Sequence, residues 1–585
     1  MAYHDGRSSE AEREKGIYFF ARIGAVLSLF AFLSYWYVVS KYSVNAPFWD
    51  DYDLLNFLNQ FISSKGLSIK LSLLFRQDNE HRIVFSRAVE LLDYYLFGKV
   101  NFIHLAIAGD VGLVLIVLLL CVYLVKKHVS PLNAAVVVVT LFSFSQYEAM
   151  IWASASLQQY YELFFALAAL FFFTRSGSRN DFLKGLLLST MASFTQGGGL
   201  IVFPVILVYF VLAKYWKRGW IVLVYGALIF CLYFIILQYH VTPLQAASRV
   251  YALHHPLMFL EYFLLFLGNS APGYGPFPLY VPLLTGIIFL IFAMHMGVRY
   301  LSHKGEPFLV FSMLFVLATA VAAGLGRVSW SVKEATASRY SINSLLLFVL
   351  IVSYYLVTYG RDRSAFLRLN AVGLVAPLLV FSLWFNGALS DLRYRDFILH
   401  RYVVYNPPDP DQGPAILSES ERLHTFIPDH VIIATTNHGF LPNAPLPISI
   451  PEIASLPGQD CPADLHVDFI NEYSAPYRGQ GREIVVQSDS IEVKGWAVDR
   501  DAHSLASAVL ADVDGRLFPL TYGMVRTDVA LALKDPVYVY AGFQGSITGP
   551  GLRPGKNMLS FVMVNSGETG ICRTRPLAIW VSSQK

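Results

Sequence analysis

Three carboxylates crowd the stretch Pro47-Phe-Trp-Asp-Asp-Tyr-Asp53, just beyond the first long apolar segment. A second polar cluster, Arg76-Gln-Asp-Asn-Glu-His-Arg82, follows in the same loop. A partly desolvated carboxylate can take the proton of an attacking hydroxyl, which is general-base work. Asp50 is the first candidate for that role and Asp51 the second. Asp53 sits further into a helix and is weaker. Asp50, Asp51 and Glu80 could also hold a divalent cation, Mg or Mn, if the chemistry is metal-dependent. The pattern itself requires no metal. In the second cluster, Glu80 and His81 suit sugar hydroxyls, and the fork of Arg82 suits phosphate or carboxylate. Plainer roles stand beside these. Trp49 and Tyr52 fit an aromatic belt at a membrane surface, and Asp78 or Asn79 could cap a helix.

The elements that must position these groups are membrane helices. The chain has 585 residues, is 55% hydrophobic and 15% charged, and has a mean hydropathy of +0.49. Soluble domains carry roughly 25% charged residues. Apolar runs near twenty residues recur, which predicts a polytopic α-helical membrane protein. Spans are expected at 17–39, 102–125, 131–147, 158–174, 182–196, 198–214, 219–238, 279–301, 307–326, 340–359 and 367–388, about eleven in all. A shorter apolar stretch at 256–268 reads as re-entrant or interfacial. The N-terminus is not a cleavable signal, since the first apolar run is too long and too aromatic. No basic tract interleaved with aromatics points to nucleic acid. With the N-terminus cytoplasmic, the basic loops around Lys126, Arg175, Lys217, Arg299 and Arg361 all fall inside, as the positive-inside rule asks.

The outer loop 40–101 is long. Residues 52–62 and 83–97 read as amphipathic helices lying in the interfacial plane. One outer loop, 327–339, breaks the charge rule with Arg327, Lys333 and Arg339, beside Tyr340. Cations there call for an anionic partner, and a lipid phosphate is the expected one, with Glu334 or lipid head groups as alternatives. Glu148 and Trp152, with Gln158, Tyr160 and Glu162, could contact a sugar, Trp152 by stacking. Gln196-Gly-Gly-Gly199 lacks the Lys-Ser/Thr of a phosphate loop and reads as a break that lets backbone approach closely. Asp110, inside a span, should face the bundle interior.

After 388 the composition changes. Asn406-Pro-Pro-Asp-Pro-Asp-Gln-Gly-Pro414 reads as a linker. Residues 484–582 alternate apolar and polar between turn signals such as Asp514-Gly515, a β-sandwich pattern. The expected division is therefore 1–388 membrane domain, 389–483 connecting region of mixed α/β character and 484–585 β-sandwich. Cys121 and Cys231 lie in apolar spans and read as buried small side chains. Cys461 and Cys572 would be able to pair if this part is extracytoplasmic.

The layout resembles the GT-C superfamily of membrane glycosyltransferases, which includes the dolichyl-phosphate-mannose protein mannosyltransferases and bacterial lipid A aminoarabinose transferases. The resemblance rests on the acidic motif after the first span, here Trp49-Asp50-Asp51, and covers about residues 17–390. The pair Trp-Asp-Asp-Tyr and Asn-Glu-His-Arg also resembles a group of uncharacterised bacterial integral membrane proteins assigned to that superfamily. No Trp-Trp-Asp of the oligosaccharyltransferase type is present. Residues 491–564, with Ile491-Glu-Val-Lys-Gly-Trp-Ala-Val-Asp499, Tyr522-Gly523, Arg526 and Gly542-Phe543, resemble a β-sandwich module of bacterial surface-polysaccharide enzymes. The resemblance implies a bacterial inner-membrane enzyme with a periplasmic C-terminal domain. It would move a sugar from an undecaprenyl-phosphate donor to a glycan or lipid-linked hydroxyl, by direct displacement with inversion. Asp50 would act as base while Arg339 and its neighbours hold the departing phosphate. A polysaccharide polymerase or ligase, and a non-enzymatic lipid-linked glycan transporter, are the alternatives. The first usually centres on a large later loop. The second calls for charges buried mid-span and two similar halves.

Overall fold

The computed structural model describes residues 5–43, 45, 50–175, 177–271, 279–303, 305–359, 450–459, 464–470, 473–474, 484–486, 490–524, 526–535, 538, 541–548 and 552–581. The chain divides into two units. One comprises Met1–Asn45, Gln60–Phe97 and Asn101–Arg393; the other comprises Ala46–Asn59, Gly98–Val100 and Tyr394–Lys585.

The first unit is helical, because a backbone in hydrocarbon must satisfy its own hydrogen bonds. Its long helices are α1 (Asp5–Tyr42), α5 (Phe102–Lys126), α8 (Ala153–Arg175), α14 (Tyr280–His303), α15 (Pro307–Arg327) and α16 (Ser341–Tyr359). Shorter ones are α6 (Pro131–Leu141), α7 (Tyr147–Ile151), α9 (Arg179–Ser193), α10 (Val202–Leu212) and α11 (Trp216–Phe230). Every expected span up to 340–359 contains one of these helices; 367–388 lies outside the described residues. Length and apolarity qualify fewer of them to cross a membrane: seven among the described residues, or up to eight with one bent pair. Helices α9 and α10 are only 15 and 11 residues long, about 23 and 17 Å at 1.5 Å per residue. The bent pair is α12 (Pro243–His254) and α13 (Pro256–Gly268), which meet at 110°. The apolar stretch at 256–268 is thus one arm of a broken span or re-entrant loop.

The first outer loop forms helices as its periodicity predicts: α2 (Asp51–Ser63), α3 (Leu67–Phe75) and α4 (Val84–Phe97). Their burial differs from the expectation of two similar interfacial helices. Leu54, Leu55, Phe57 and Leu58 of α2 are fully buried. Helix α4 is reversed: Ser86, Arg87, Glu90 and Asp93 are buried, while Leu92, Tyr95, Leu96 and Phe97 are exposed. An apolar face turned outward is stable only against lipid, so α4 reads as the helix in the interface.

The second unit contains two sheets. Five strands run in the order β3 (Tyr473–Ser474), β2 (Leu465–Ile470), β5 (Ser490–Ala497), β9 (Gly542–Thr548) and β8 (Thr521–Met524). The other sheet has seven, centred on β10 (Gly555–Val564), which pairs antiparallel with β6 (Ala508–Val513). Strand periodicity builds the core. Leu559, Phe561 and Met563 of β10 join Val509, Ala511 and Val513 with Ile491, Val493, Phe543 and Ile547 of the other sheet. The alternate residues Val562 and Val564 pack on the opposite face with Leu510 and Ile453. Asp514-Gly515 forms the two-residue turn from β6 to β7 (Arg516–Pro519), both residues at positive φ as a type I′ hairpin requires. Strands at 458–474 belong to these sheets, so the folded region begins ahead of the expected boundary at 484. Cys572 is disulfide-bonded, whereas Cys121 and Cys231 are free. Cys461, its expected partner, lies outside the described residues.

Candidate functional site

The polar cluster at 76–82 does not begin a helix. Asp78 and His81 exchange backbone hydrogen bonds of 2.8 and 2.7 Å across a tight turn, with Asn79 left-handed at φ 43°. Asn accepts that conformation at little cost, and α4 starts only at Val84. The turn is fixed by Arg82, which is buried. Its Nε donates to the Tyr233 carbonyl at 3.1 Å, and its two terminal nitrogens donate to the Phe75 and Leu237 carbonyls at 2.7 Å each. Tyr233 and Leu237 lie in and just after a π-helical turn, Cys231–Ile236, that ends α11. Helix-end carbonyls lack intrahelical donors, and Arg82 supplies them. All three guanidinium nitrogens bond backbone carbonyls, so Arg82 clamps the loop.

That clamp sets Glu80 and His81 against a cavity of about 410 Å³ within the first unit. Glu80 pairs with Arg327 at 3.3 Å. The cavity is also lined by Gln159, Glu162, Gln196, Gly197, Gly198, Gln245, Arg249, Tyr340 and Asn343. Its apolar wall includes Leu163, Leu200, Ile201, Phe234, Phe266 and Ala323. Gln159, Glu162, Tyr340 and Asn343 are 8, 5, 6 and 6% exposed, and each carries a buried oxygen without a partner. A buried unsatisfied polar atom costs about 1–3 kcal/mol, so four on one cavity wall mark it as a place for a polar ligand.

The glycine run makes the cavity possible. Helix α9 ends at Ser193 and a short 3₁₀ turn, Gly197–Ile201, leads into α10. A Cβ at Gly198 would lie 2.2 Å from Glu162 Oε1, and one at Gly199 would lie 2.2 Å from the Ala192 carbonyl. The requirement is one of space, as the expected close approach implied. His81 Nδ1 accepts the Gly197 N–H at 3.3 Å. Burial, aided by the Arg327 charge, pushes the imidazole down to about 4. The ring is therefore neutral at pH 7.

Neither a family model, a curated protein nor a solved structure matches this chain.

A second cluster adjoins the cavity through Tyr340. The Arg327 and Arg339 guanidinium groups lie 5.3 and 5.0 Å from the Tyr340 ring. Arg339 also lies 5.9 Å from the buried Trp152 ring, bonds Glu148 at 3.4 Å and pairs with Glu334. Two carboxylates thus answer the charge of Arg339, one of them the Glu334 named as an alternative to lipid phosphate. Lys333 is exposed and does not line the cavity. Asp50 and Asp51 belong to the second unit, at the start of α2, with Asp51 buried. Among the described residues no cluster of three or more His, Cys, Asp or Glu could hold a metal ion.

Asp110 does face the bundle interior. It accepts from Tyr35 at 2.8 Å, and Tyr35 lies 3.5 Å from Tyr160. Gln159, Arg249 and Asn343 were not singled out from the sequence. Gln159 and Asn343 carried a usable signal, being amides inside apolar helices.

Proposed function

We propose that this protein transfers a glycosyl group from a polyprenyl-phosphate carrier to a hydroxyl of a glycan or lipid-linked acceptor. The mixed lining of this cavity carries the reading. Arg249 suits a phosphate. Glu162, Gln159 and Asn343 suit the hydroxyls of a sugar. The wall of Leu163, Leu200, Ile201 and Phe266 suits a hydrocarbon chain. An amphiphile with an anionic joint, a polyol head and an isoprenoid tail matches all three. Arg249 lies on α12, whose Leu244, Val250 and Leu253 are exposed, so the helix suits the depth of lipid phosphates.

In this reading the chain is a GT-C-like enzyme of about eleven spans in a bacterial inner membrane. Its N-terminus is cytoplasmic and its C-terminal β-sandwich periplasmic. The acceptor hydroxyl loses its proton to a carboxylate as its oxygen attacks the anomeric carbon. The bond from that carbon to phosphate breaks, and the carrier leaves as a phosphate with inversion. The resemblance gives the base to Asp50, with Asp51 beside it.

The test is mass spectrometry of lipid-linked and surface glycans from cells with and without the protein. Wild type should add a sugar, and Asp50→Asn should not, while still accumulating in the membrane. Unchanged glycans in cells lacking the protein refute the transferase reading. Full transfer by Asp50→Asn removes only the base assignment.

A further inference from the structure

We propose that Asp110 is a proton-binding site, a carboxyl carried as the neutral acid inside the helix bundle, whose bound proton lets α1, α5 and α8 close on one another beside the cavity. The site goes beyond the glycosyl-transfer reading and does not depend on it.

The carboxyl is enclosed on every side. Asp110 of α5, Tyr35 of α1, Tyr160 of α8 and Gln146 are all fully buried. Tyr35 donates its hydroxyl to Asp110 Oδ1 at 2.8 Å and lies 3.5 Å from the Tyr160 hydroxyl. Tyr160 donates to Gln146 Oε1 at 3.2 Å, and the Gln146 amide N–H donates to the Leu141 carbonyl at the end of α6. Nothing in this chain of bonds carries a positive charge. The titratable groups that α1 and α8 set beside the acid are the two phenols, which are ordinarily neutral at pH 7. Asp110 Oδ2 is buried and meets no donor, and among the described residues no Lys, Arg or His pairs with the carboxyl.

An isolated carboxylate in an apolar interior is far costlier than the neutral acid, so the group keeps a proton. Oδ1 then serves as the acceptor for Tyr35, and the proton resides on Oδ2, the oxygen without a donor. A metal ion does not answer the charge as well. Hard divalent cations draw six or more oxygens, whereas the surroundings offer one carboxyl, two phenols and an amide. A proton needs no coordination shell.

The packing around the acid gives its neutrality a consequence. Helices α5 and α8 approach through glycines: a Cβ at Gly109 would lie 2.0 Å from Ser156 Oγ, and one at Gly112 would lie 3.0 Å from Tyr160 Cβ. Tyr161 donates to the Ala108 carbonyl at 3.0 Å. Contact this close shuts out the water that an ionised carboxylate would demand. Helix α8 also brings Gln159, Glu162 and Leu163 to the cavity wall. The proton on Asp110 is thus a condition for seating the helix that forms that wall.

The experiment is infrared spectroscopy of the full chain in a detergent without ester carbonyls, with an isotope label in the aspartate carboxyls. At pH 7 wild type should show a carboxylic-acid C=O band that moves with the label. The band should be lost in Asp110→Asn, whose amide keeps an oxygen for Tyr35. Tyr35→Phe removes the donor to Oδ1 and should shift the band to higher frequency. A wild type with no labelled acid band overturns the proton site, as does a band that survives Asp110→Asn unchanged. Where Asp110→Asn fails to accumulate, Tyr35→Phe decides: a band that does not move overturns the site.

Discussion

Neighbouring glycines at 198 and 199 should respond to the same substitution in opposite ways. An added methyl at Gly198 lies 2.2 Å from Glu162 Oε1. Ordinary carbon–oxygen contact begins near 3.4 Å, so something must move by about 1.2 Å. The obstacle is the far end of a side chain, and a strained χ costs about 0.5–1.5 kcal/mol. Folding should therefore survive, with a fall in stability of about 1 kcal/mol. Misplacing a site group by about 1 Å can lower activity by about 100-fold. At Gly199 the methyl lies 2.2 Å from both the Ala192 carbonyl carbon and oxygen. Backbone cannot swing aside, and the turn must separate from the end of α9. Overpacking of that kind costs about 1–3 kcal/mol or more. The assay pairs thermal unfolding in detergent with glycan transfer in cells. Gly198→Ala should unfold near wild type yet transfer poorly; Gly199→Ala should unfold early. Equal loss of stability in both, or full transfer by Gly198→Ala, would refute the spatial argument.

Three further outcomes follow from other contacts. Arg82→Lys should destabilise the first unit by about 3 kcal/mol, because an ammonium cannot meet three carbonyls in fork geometry; unfolding temperature and membrane accumulation check this. His81 is held near 4, below its free value near 6.5. Its neutral form is thus favoured by folding: the stability it contributes is complete above about pH 6.5 and falls as pH drops toward 4. Carrier affinity should accordingly show no inflection near about 6.5, and an inflection there would count against a neutral, buried imidazole. In the second unit, burial opposes ionisation of Asp499, but donors from Ser566 and Ala502 outweigh it and hold the carboxyl below its ordinary range. Its stabilisation is present above about pH 4 and lost as pH falls through the folded value. Asp499→Asn should lower the unfolding temperature at pH 7 and flatten its dependence on acid, as read by calorimetry of the full chain.

Much of the architecture follows from local pattern. Apolar runs of the right length give membrane helices whatever their neighbours, since the bilayer demands internal hydrogen bonding. Asp514-Gly515 gives a hairpin because both residues tolerate positive φ. The glycine run gives a close approach because only a missing Cβ leaves room. Asp110 inside a span gives an inward-facing acid. The roles of the charged loop residues did not follow in this way. Arg82 has the type and setting of a phosphate ligand, yet it meets carbonyls more than 150 positions away. Arg339 meets Glu148 from 191 positions away. Arg327 reaches Glu80 across 247. Whether a cation is left for a ligand depends on which carboxylates and carbonyls the folded chain brings to it. Coulomb attraction and hydrogen bonding act within a few ångströms in space and take no account of distance along the sequence. The same holds for Glu162, an acid in an apolar helix whose place in the site is decided by a glycine from another segment.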